Sequence, residues 1–228
     1  MTDFVLIPGA GGHAGYWSRL VPLLERLGHR PIAVDIRQDD PALGLPEYAD
    51  VVRAAAAGAS TPVVVGQSLG GFTAPMVATD LAASAVVLVN AMIPLPGETP
   101  GAWWEASGQT AARAAADAVA GRDGAFDLDT YFLHDLPADV RAELLTGDDR
   151  TPSDTPFGQR CTFDAWPHVP LHVVAGRDDR FFPVQFQREQ ARARLGVEAD
   201  DIAGGHLVAL ANPDGLAELL DGYTRAAG

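Results

Sequence analysis

Short apolar runs alternate along this chain with segments whose apolar residues recur at helical spacing. Strands are predicted where a run rich in β-branched residues ends at Gly, Pro, Asp or Asn. The predicted strands are 4–7, 31–36, 63–65, 85–90, 171–175 and a short one at 197–202. The predicted helices are 17–27, 46–57, 109–120, 138–145 and 214–223, with a small-residue helix directly after residue 70.

This alternation predicts an α/β fold. Strands that alternate with helices form βαβ units, and the resulting sheet is mostly parallel with helices on both faces. We therefore expect a roughly six-stranded, mostly parallel sheet. The chain has 228 residues, enough for one substantial core and short for two, so we expect residues 1–228 to form a single domain.

The segment 94–170 interrupts the alternation. It is rich in Ala, Gly, Pro and Asp and lies between two predicted strands, so we expect a small helical cap inserted over one end of the sheet. Its aromatic residues are candidates for the apolar walls of a substrate pocket. The alternative is that they only hold the insertion together. They are Trp103, Trp104, Phe126, Tyr131 and Phe132.

A pentapeptide, Gly66-Gln67-Ser68-Leu69-Gly70, follows the predicted strand 63–65 and precedes a predicted helix. A serine at a sharp strand-to-helix turn has its hydroxyl lifted clear of the sheet, and glycines two positions away remove side chains that would clash. The helix N-terminus beneath it supplies N–H groups and a positive dipole end. Ser68 is therefore a candidate nucleophile.

Composition excludes several function classes. The formal net charge is -14, and such an acidic surface repels nucleic acid and anionic lipid, so neither is an expected partner. All 16 basic side chains are Arg, so no lysine is available for Schiff-base chemistry. We expect no cofactor. No apolar segment approaches membrane-spanning length. The first apolar run, 4–7, has no basic region before it and is too short for the core of a signal peptide, so we do not expect one.

Cys161 is the only cysteine, so no intrachain disulfide can form, and a cytoplasmic location is the expectation. It stands between Arg160 and Thr162 in a polar stretch, and we interpret it as a bystander rather than a nucleophile.

A base and an acid that could activate Ser68 follow later strands. Asp178 and Asp179 come directly after the strand 171–175, and His206 follows Gly204-Gly205 after the strand 197–202. Residues just past the carboxyl ends of parallel strands meet at the ligand-binding edge of the sheet. The order along the chain is nucleophile, acid, histidine.

With these motifs the chain resembles the α/β-hydrolase superfamily along most of its length. It looks most like the compact branch of small esterases and hydroxynitrile lyases, which includes plant methyl-ester hydrolases. In that branch the first strand runs into a Gly-rich loop that an aromatic residue follows. The segment 4–12 with Tyr16 and Trp17 is similar to that pattern.

The resemblance assigns roles to individual residues. Ser68 matches the nucleophile, His206 the general base and Asp179 the acid, because the family pattern Gly-x-x-Asp-x-x-x-Pro fits 176–183. Asp178 is the competing acid if the loop shifts by one residue. The backbone N–H groups of Ala10 and Leu69 match the oxyanion hole. Many relatives have a mainly structural His where this chain has Pro8, so we expect the hole to be retained with an altered shape.

The resemblance implies a carboxylic-ester hydrolase that acts on a small apolar ester through an acyl-enzyme. The alternatives are a hydroxynitrile-lyase-type enzyme, a thioesterase or a non-catalytic small-molecule receptor on the same scaffold. The absence of lysine disfavours the lyase, because a lysine assists cyanide chemistry in one set of those enzymes. The substrate's identity and the oligomeric state stay open.

The remaining histidines have weaker interpretations. His13 lies in the Gly-rich loop and is either a substrate contact or a surface residue. His168 and His172 flank a proline at a strand entry, and we predict no metal site there. His29 and His134 are interpreted as surface residues.

Overall fold

The computed structural model describes residues 1–146 and 150–226. Residues 147–149, within the predicted insertion, and the last two residues lie outside the described part. One six-stranded sheet has the strand order β2-β1-β3-β4-β5-β6, and every neighbouring pair is parallel. The strands are β1 Asp3–Ile7, β2 Arg30–Ala33, β3 Val63–Gln67, β4 Ala85–Val89, β5 Leu171–Gly176 and β6 Ala199–Ile202.

Helices cover both faces of this sheet. They are α1 Val21–Arg26, α2 Leu45–Ala55, α3 Gly70–Ala78, α4 Pro100–Ala106, α5 Gln109–Ala120, α6 Ala138–Thr146, α7 Val184–Leu195, α8 Val208–Ala211 and α9 Pro213–Ala226. Short 3₁₀ turns lie at Ala14–Trp17 and Thr155–Gly158, and a π-helical turn at Asp129–Leu133. The predicted fold class is confirmed.

Alternate residues of each strand enter two separate cores. Val5 and Ile7 of β1 pack with α2, α3 and α7, while Phe4 and Leu6 pack with α1, α8 and α9. Because both faces are buried, the strands are apolar almost without interruption, which is why simple apolar runs located them.

Two predicted element boundaries are wrong for local reasons. The helix predicted over 17–27 is a 3₁₀ turn that ends at Trp17, followed by α1 from Val21. Pro22 has no N–H and is tolerated only in the first helical turn, so the helix begins beside it. The strand predicted to reach Ile36 ends at Ala33, because the Ile36 N–H turns away to donate to the Gly12 carbonyl at 2.8 Å.

The segment between β4 and β5 contains α4, α5, α6 and the π-helical turn. A buried carboxylate ties two of these elements together. Asp117 of α5 accepts hydrogen bonds of 2.6 Å from both the Tyr131 hydroxyl and Arg122 Nε. Burial pushes the pKa of Asp117 upwards, but these hydrogen bonds outweigh it and hold the pKa below its usual value. No described helix is long and apolar enough to cross a membrane.

Candidate active site

Ser68 stands at a tight turn between β3 and α3. Its φ is +48°, a backbone conformation that residues other than glycine adopt rarely and at an energetic cost. A Cβ on Gly66 would lie 2.7 Å from the Gly70 carbonyl oxygen, and one on Gly70 would lie 2.7 Å from that of Pro8. Only glycine therefore fits two positions before and two positions after this serine.

The fold brings together three side chains that are far apart in sequence. His206 Nε2 lies 3.0 Å from Ser68 Oγ, and His206 Nδ1 lies 2.8 Å from Asp179 Oδ2. Asp179 and His206 are 4% and 1% exposed, whereas Ser68 is 9% exposed. The three form one continuous hydrogen-bonded chain that runs from the interior to the serine hydroxyl.

The two adjacent carboxylates have different partners. Asp179 Oδ1 accepts the backbone N–H groups of Phe181 and Phe182, each at 2.8 Å, and its Oδ2 faces the imidazole. Asp178 Oδ2 instead accepts the Gly204 N–H at 3.0 Å. The sequence left both candidates open, and the structure places Asp179 against His206.

The Gly-rich loop after β1 lies directly over the serine. A Cβ on Gly9 would stand 2.8 Å from Ser68 Cβ, so the loop backbone packs against the turn. Within residues 1–146 and 150–226, the N–H groups of Ala10 and Leu69 donate to no protein acceptor. These are the two donors predicted to form the oxyanion hole, and that role stays a prediction.

Phenyl rings enclose the imidazole. Phe132, Phe181 and Phe182 have ring centroids 4.8, 5.3 and 5.0 Å from that of His206, each nearly perpendicular to it. Phe132 comes from the segment between β4 and β5, and the other two follow the Asp179 loop. Phe181 and Phe182 fall within the 176–183 pattern but were not predicted as site residues, and their position two and three residues after Asp179 is the sequence signal that identifies them.

Three other predicted pocket residues, Trp103, Trp104 and His13, differ in how deeply they are buried. Trp103 is fully buried and packs against Phe182 and Phe186 in the core. Trp104 is partly buried and contacts Phe181 at 5.6 Å between ring centroids. His13 is partly buried in the loop before the 3₁₀ turn. Contact of these three residues with a substrate stays a prediction.

The expectation that His29 and His134 are surface residues is wrong. Their side chains are only 6% and 10% exposed. His29 Nε2 lies 3.1 Å from Asp221 Oδ1, and its ring meets the edge of Phe4. His134 lies beside the glycine that precedes His206, and burial lowers its pKa. Nothing in the local sequence distinguishes these histidines from exposed ones.

Cys161 is a buried free thiol, consistent with its interpretation as a bystander. Its thiol is buried and donates to the Phe72 carbonyl at 3.0 Å, and burial raises its pKa to about 12. A thiol that resists ionisation is a poor nucleophile. Among the described residues, no group of three or more His, Cys, Asp or Glu side chains is placed to hold a metal ion.

A surface cleft of about 570 Å³ lies away from these residues. Its lining includes Arg53, Ala83, Trp166 and Val169. Ala83 and Val169 stand two residues before β4 and β5, so the cleft opens at the amino edge of the sheet. Ser68, Asp179 and His206 follow the carboxyl ends of their strands and lie at the opposite edge.

Comparison with known proteins places this geometry in context. A family model described as "Alpha/beta hydrolase family" matches residues 4–219. No curated protein sequence matches the chain. Among solved structures, the chain is similar to a pyrethroid hydrolase from Sphingobium faniae JZ-2, with 20% identity, a TM-score of 0.75, and coverage of 99% of this chain and 98% of that one.

Two further solved structures are similar over nearly their whole length. Polyneuridine aldehyde esterase is 19% identical, with a TM-score of 0.77 and coverage of 98% of this chain and 99% of its own. The methylesterase MES16 from Arabidopsis is 17% identical, with a TM-score of 0.76 and coverage of 99% and 100%. At such identities the likeness shows a shared fold. The resemblance to the α/β-hydrolase superfamily stated from the sequence is confirmed by the family model, and the plant methylesterase shares its fold with this chain.

Proposed function

Because this chain belongs to the alpha/beta hydrolase family, we propose that it is a serine-dependent carboxylic-ester hydrolase. The observation that carries the proposal is the unbroken hydrogen-bonded chain from Ser68 through His206 to Asp179. A serine hydroxyl becomes a useful nucleophile only when a neighbouring base removes its proton, and this arrangement supplies both the base and a carboxylate that orients it.

The geometry supports a two-step acyl transfer. His206 Nε2 takes the Ser68 proton as Oγ bonds to the ester carbonyl carbon, and Asp179 holds the Nδ1–H tautomer and stabilises the imidazolium. The N–H groups of Ala10 and Leu69 receive the oxyanion, and one such donor is typically worth roughly 3 kcal/mol of barrier. The imidazolium then protonates the departing alcohol. Water, deprotonated by the same imidazole, releases the acid from Ser68.

The substrate that fits these surroundings is a small, mostly apolar ester. Phe132, Phe181 and Phe182 present hydrocarbon surface beside the imidazole, which favours an uncharged acyl or alcohol group there. We propose that the insertion 94–170 covers the site as a cap. The pyrethroid hydrolase, the aldehyde esterase and the methylesterase among the structural neighbours support an ester as the substrate class.

Substitution of the serine tests the proposal directly. We expect wild type to hydrolyse p-nitrophenyl acyl esters over many turnovers and to react with a fluorophosphonate probe. Ser68→Ala should lose the labelling and at least roughly 10⁴-fold in kcat. Ser18→Ala, at an exposed serine outside the site, is the matched control and should behave as wild type.

Two results would contradict the proposal. Turnover that persists in Ser68→Ala would show that another group carries the reaction. Binding or single labelling without repeated release of acid product would indicate a receptor rather than an enzyme.

A further inference from the structure

Asn90 is a completely buried polar residue that the proposed mechanism does not use. It directly follows β4, and its φ of +45° is a conformation that Asn tolerates better than most residues. Its own backbone N–H donates to the Val174 carbonyl of β5 at 2.9 Å. Burying a carboxamide is costly unless its hydrogen bonds are made, so its partners show what this side chain holds.

The Asn90 carboxamide joins the end of β4 to two other parts of the site edge, the end of β5 and the Gly205–His206 backbone. Its Oδ1 accepts the Gly176 N–H at 2.7 Å, where β5 ends. Its Nδ2 donates to the carbonyl oxygens of Gly205, at 2.9 Å, and His206, at 3.1 Å. The oxygen and the nitrogen are both in use.

Gly205 is also held from its other side. Asp135, just after the π-helical turn, accepts the Gly205 N–H at 2.5 Å through Oδ2. A Cβ on Gly205 would meet Asp135 Oδ1 and His134 Nε2, both at 2.9 Å. The backbone of Gly205 is therefore held between the side chains of Asn90 and Asp135, which come from different parts of the chain.

The stretch between β6 and α8 needs such support. It belongs to neither a strand nor a helix, so regular secondary structure does not fix the backbone of His206. The imidazole must nevertheless satisfy two partners at once, at 2.8 and 3.0 Å. Besides Asn90, the His206 carbonyl has one further side-chain donor among the described residues, Gln67 Nε2 at 3.3 Å.

We propose that Asn90 and Asp135 are positioning residues that hold the Gly205–His206 backbone so that the imidazole bridges Ser68 and Asp179. This inference rests on the proposed function, because it assigns a task within the same reaction. We call the hydrogen bonds that each of these two residues makes to the Gly205–His206 backbone a clamp. A displacement of about 1 Å at a reacting group lowers the rate about 100-fold. Loss of either clamp should therefore lower kcat more than it weakens substrate binding.

Two substitutions of Asn90 separate its hydrogen bonds from its fold. Asn90→Asp keeps the shape and removes the two donated bonds, while Asn90→Gly keeps the positive φ and removes the carboxamide. We expect kcat to fall about 100-fold in both, with KM unchanged. We also expect loss of the low-field NMR resonance of the His206 Nδ1 proton, which reports its bond to Asp179 and needs no turnover.

Asn212, directly after α8, provides a matched control because it bonds to the same stretch of chain. Its Nδ2 donates to the Ala203 carbonyl at 2.9 Å, three residues before His206, so it makes the same kind of bond away from the imidazole. Asn212→Asp should leave kcat and the low-field resonance unchanged. For the other clamp, Asp135→Asn retains an oxygen acceptor for Gly205 and should keep more kcat than Asp135→Ala.

The outcomes distinguish this inference from the proposed function. If folded Asn90→Asp and Asn90→Gly keep the wild-type kcat and resonance, the positioning role is wrong while serine-dependent hydrolysis stands. A loss of kcat with the resonance intact would equally overturn it. If wild type shows no Ser68-dependent turnover, the proposed function fails. In that case the NMR resonance tests the positioning role by itself. Its loss in either Asn90 variant supports the role, and its retention in both variants contradicts it.

Discussion

Asp178 and Asp179 are neighbours in the chain, yet one carboxylate contacts the imidazole and the other a loop backbone. We expect Asp179→Asn to lower kcat about 10⁴-fold, because an amide at this position favours the wrong imidazole tautomer. Asp178→Asn retains an oxygen for the Gly204 N–H and should keep nearly all activity. Steady-state kinetics on one activated ester decides between them, and equal losses in the two variants would contradict the assignment.

Sequence patterns reach the proposed catalytic residues but only part of their surroundings. Ser68, Asp179 and His206 stand in local motifs within four residues of the carboxyl end of a strand, so their meeting at one edge follows from the parallel topology. Asn90 also follows a strand and carried that signal. Asp135 carried none, because its approach to Gly205 depends on how a long segment folds back over the sheet.

At the scale of elements, the contact between the start of α3 and the end of β1 controls the site. We expect Gly70→Ala to lower the free energy of unfolding by about 1–3 kcal/mol, since its methyl group would overlap the Pro8 and Ile7 carbonyl oxygens. Because Pro8 leads into the Gly-rich loop, fluorophosphonate labelling should slow as well. Urea unfolding and labelling rates measure the two effects.

Gly15→Ala is the control for this prediction. Gly15 lies in the 3₁₀ turn that follows the Gly-rich loop, and its φ is not positive. An added Cβ there would have no neighbouring side chain or loop atom within 4 Å. Its stability and labelling should match wild type, and a loss as large as that of Gly70→Ala would refute the steric explanation.

Several helices escaped prediction although some of their boundary signals are present. Thr99 caps α4 by accepting the Ala102 N–H at 3.0 Å, and Pro100 follows it in the first turn. Pro183 and Gly196 bound α7, whose sequence is too polar to show an apolar stripe. Hydrophobic periodicity therefore located amphipathic helices such as α2 and α9, whereas α4 and α7 are identified more readily by their caps.

At the scale of the whole molecule, buried histidines link stability to pH. Burial lowers the pKa of His172, which stacks on Tyr223, and of His134. These histidines bind protons less tightly in the folded chain than in the unfolded chain. The free energy of unfolding therefore falls as pH drops below about 6.5.

We expect the urea midpoint of wild type to fall more than that of His172→Phe between about pH 7.5 and about pH 5. Phenylalanine preserves the stack on Tyr223 and cannot ionise, so the difference between the two proteins isolates this histidine. Carboxylates with lowered pKa, such as Asp117, lose their contribution only at lower pH. Identical slopes in the two proteins would contradict the prediction.

The seclusion of Cys161 makes this chain convenient for spectroscopy. A native sulfhydryl that stays protonated and covered will not compete for maleimide or methanethiosulfonate reagents. Paired substitutions Val119→Cys on α5 and Glu25→Cys on α1, both at exposed positions, would therefore accept spin labels cleanly. Distances between those labels, measured with and without an ester analogue, would report directly whether α5 moves towards the sheet when the analogue binds.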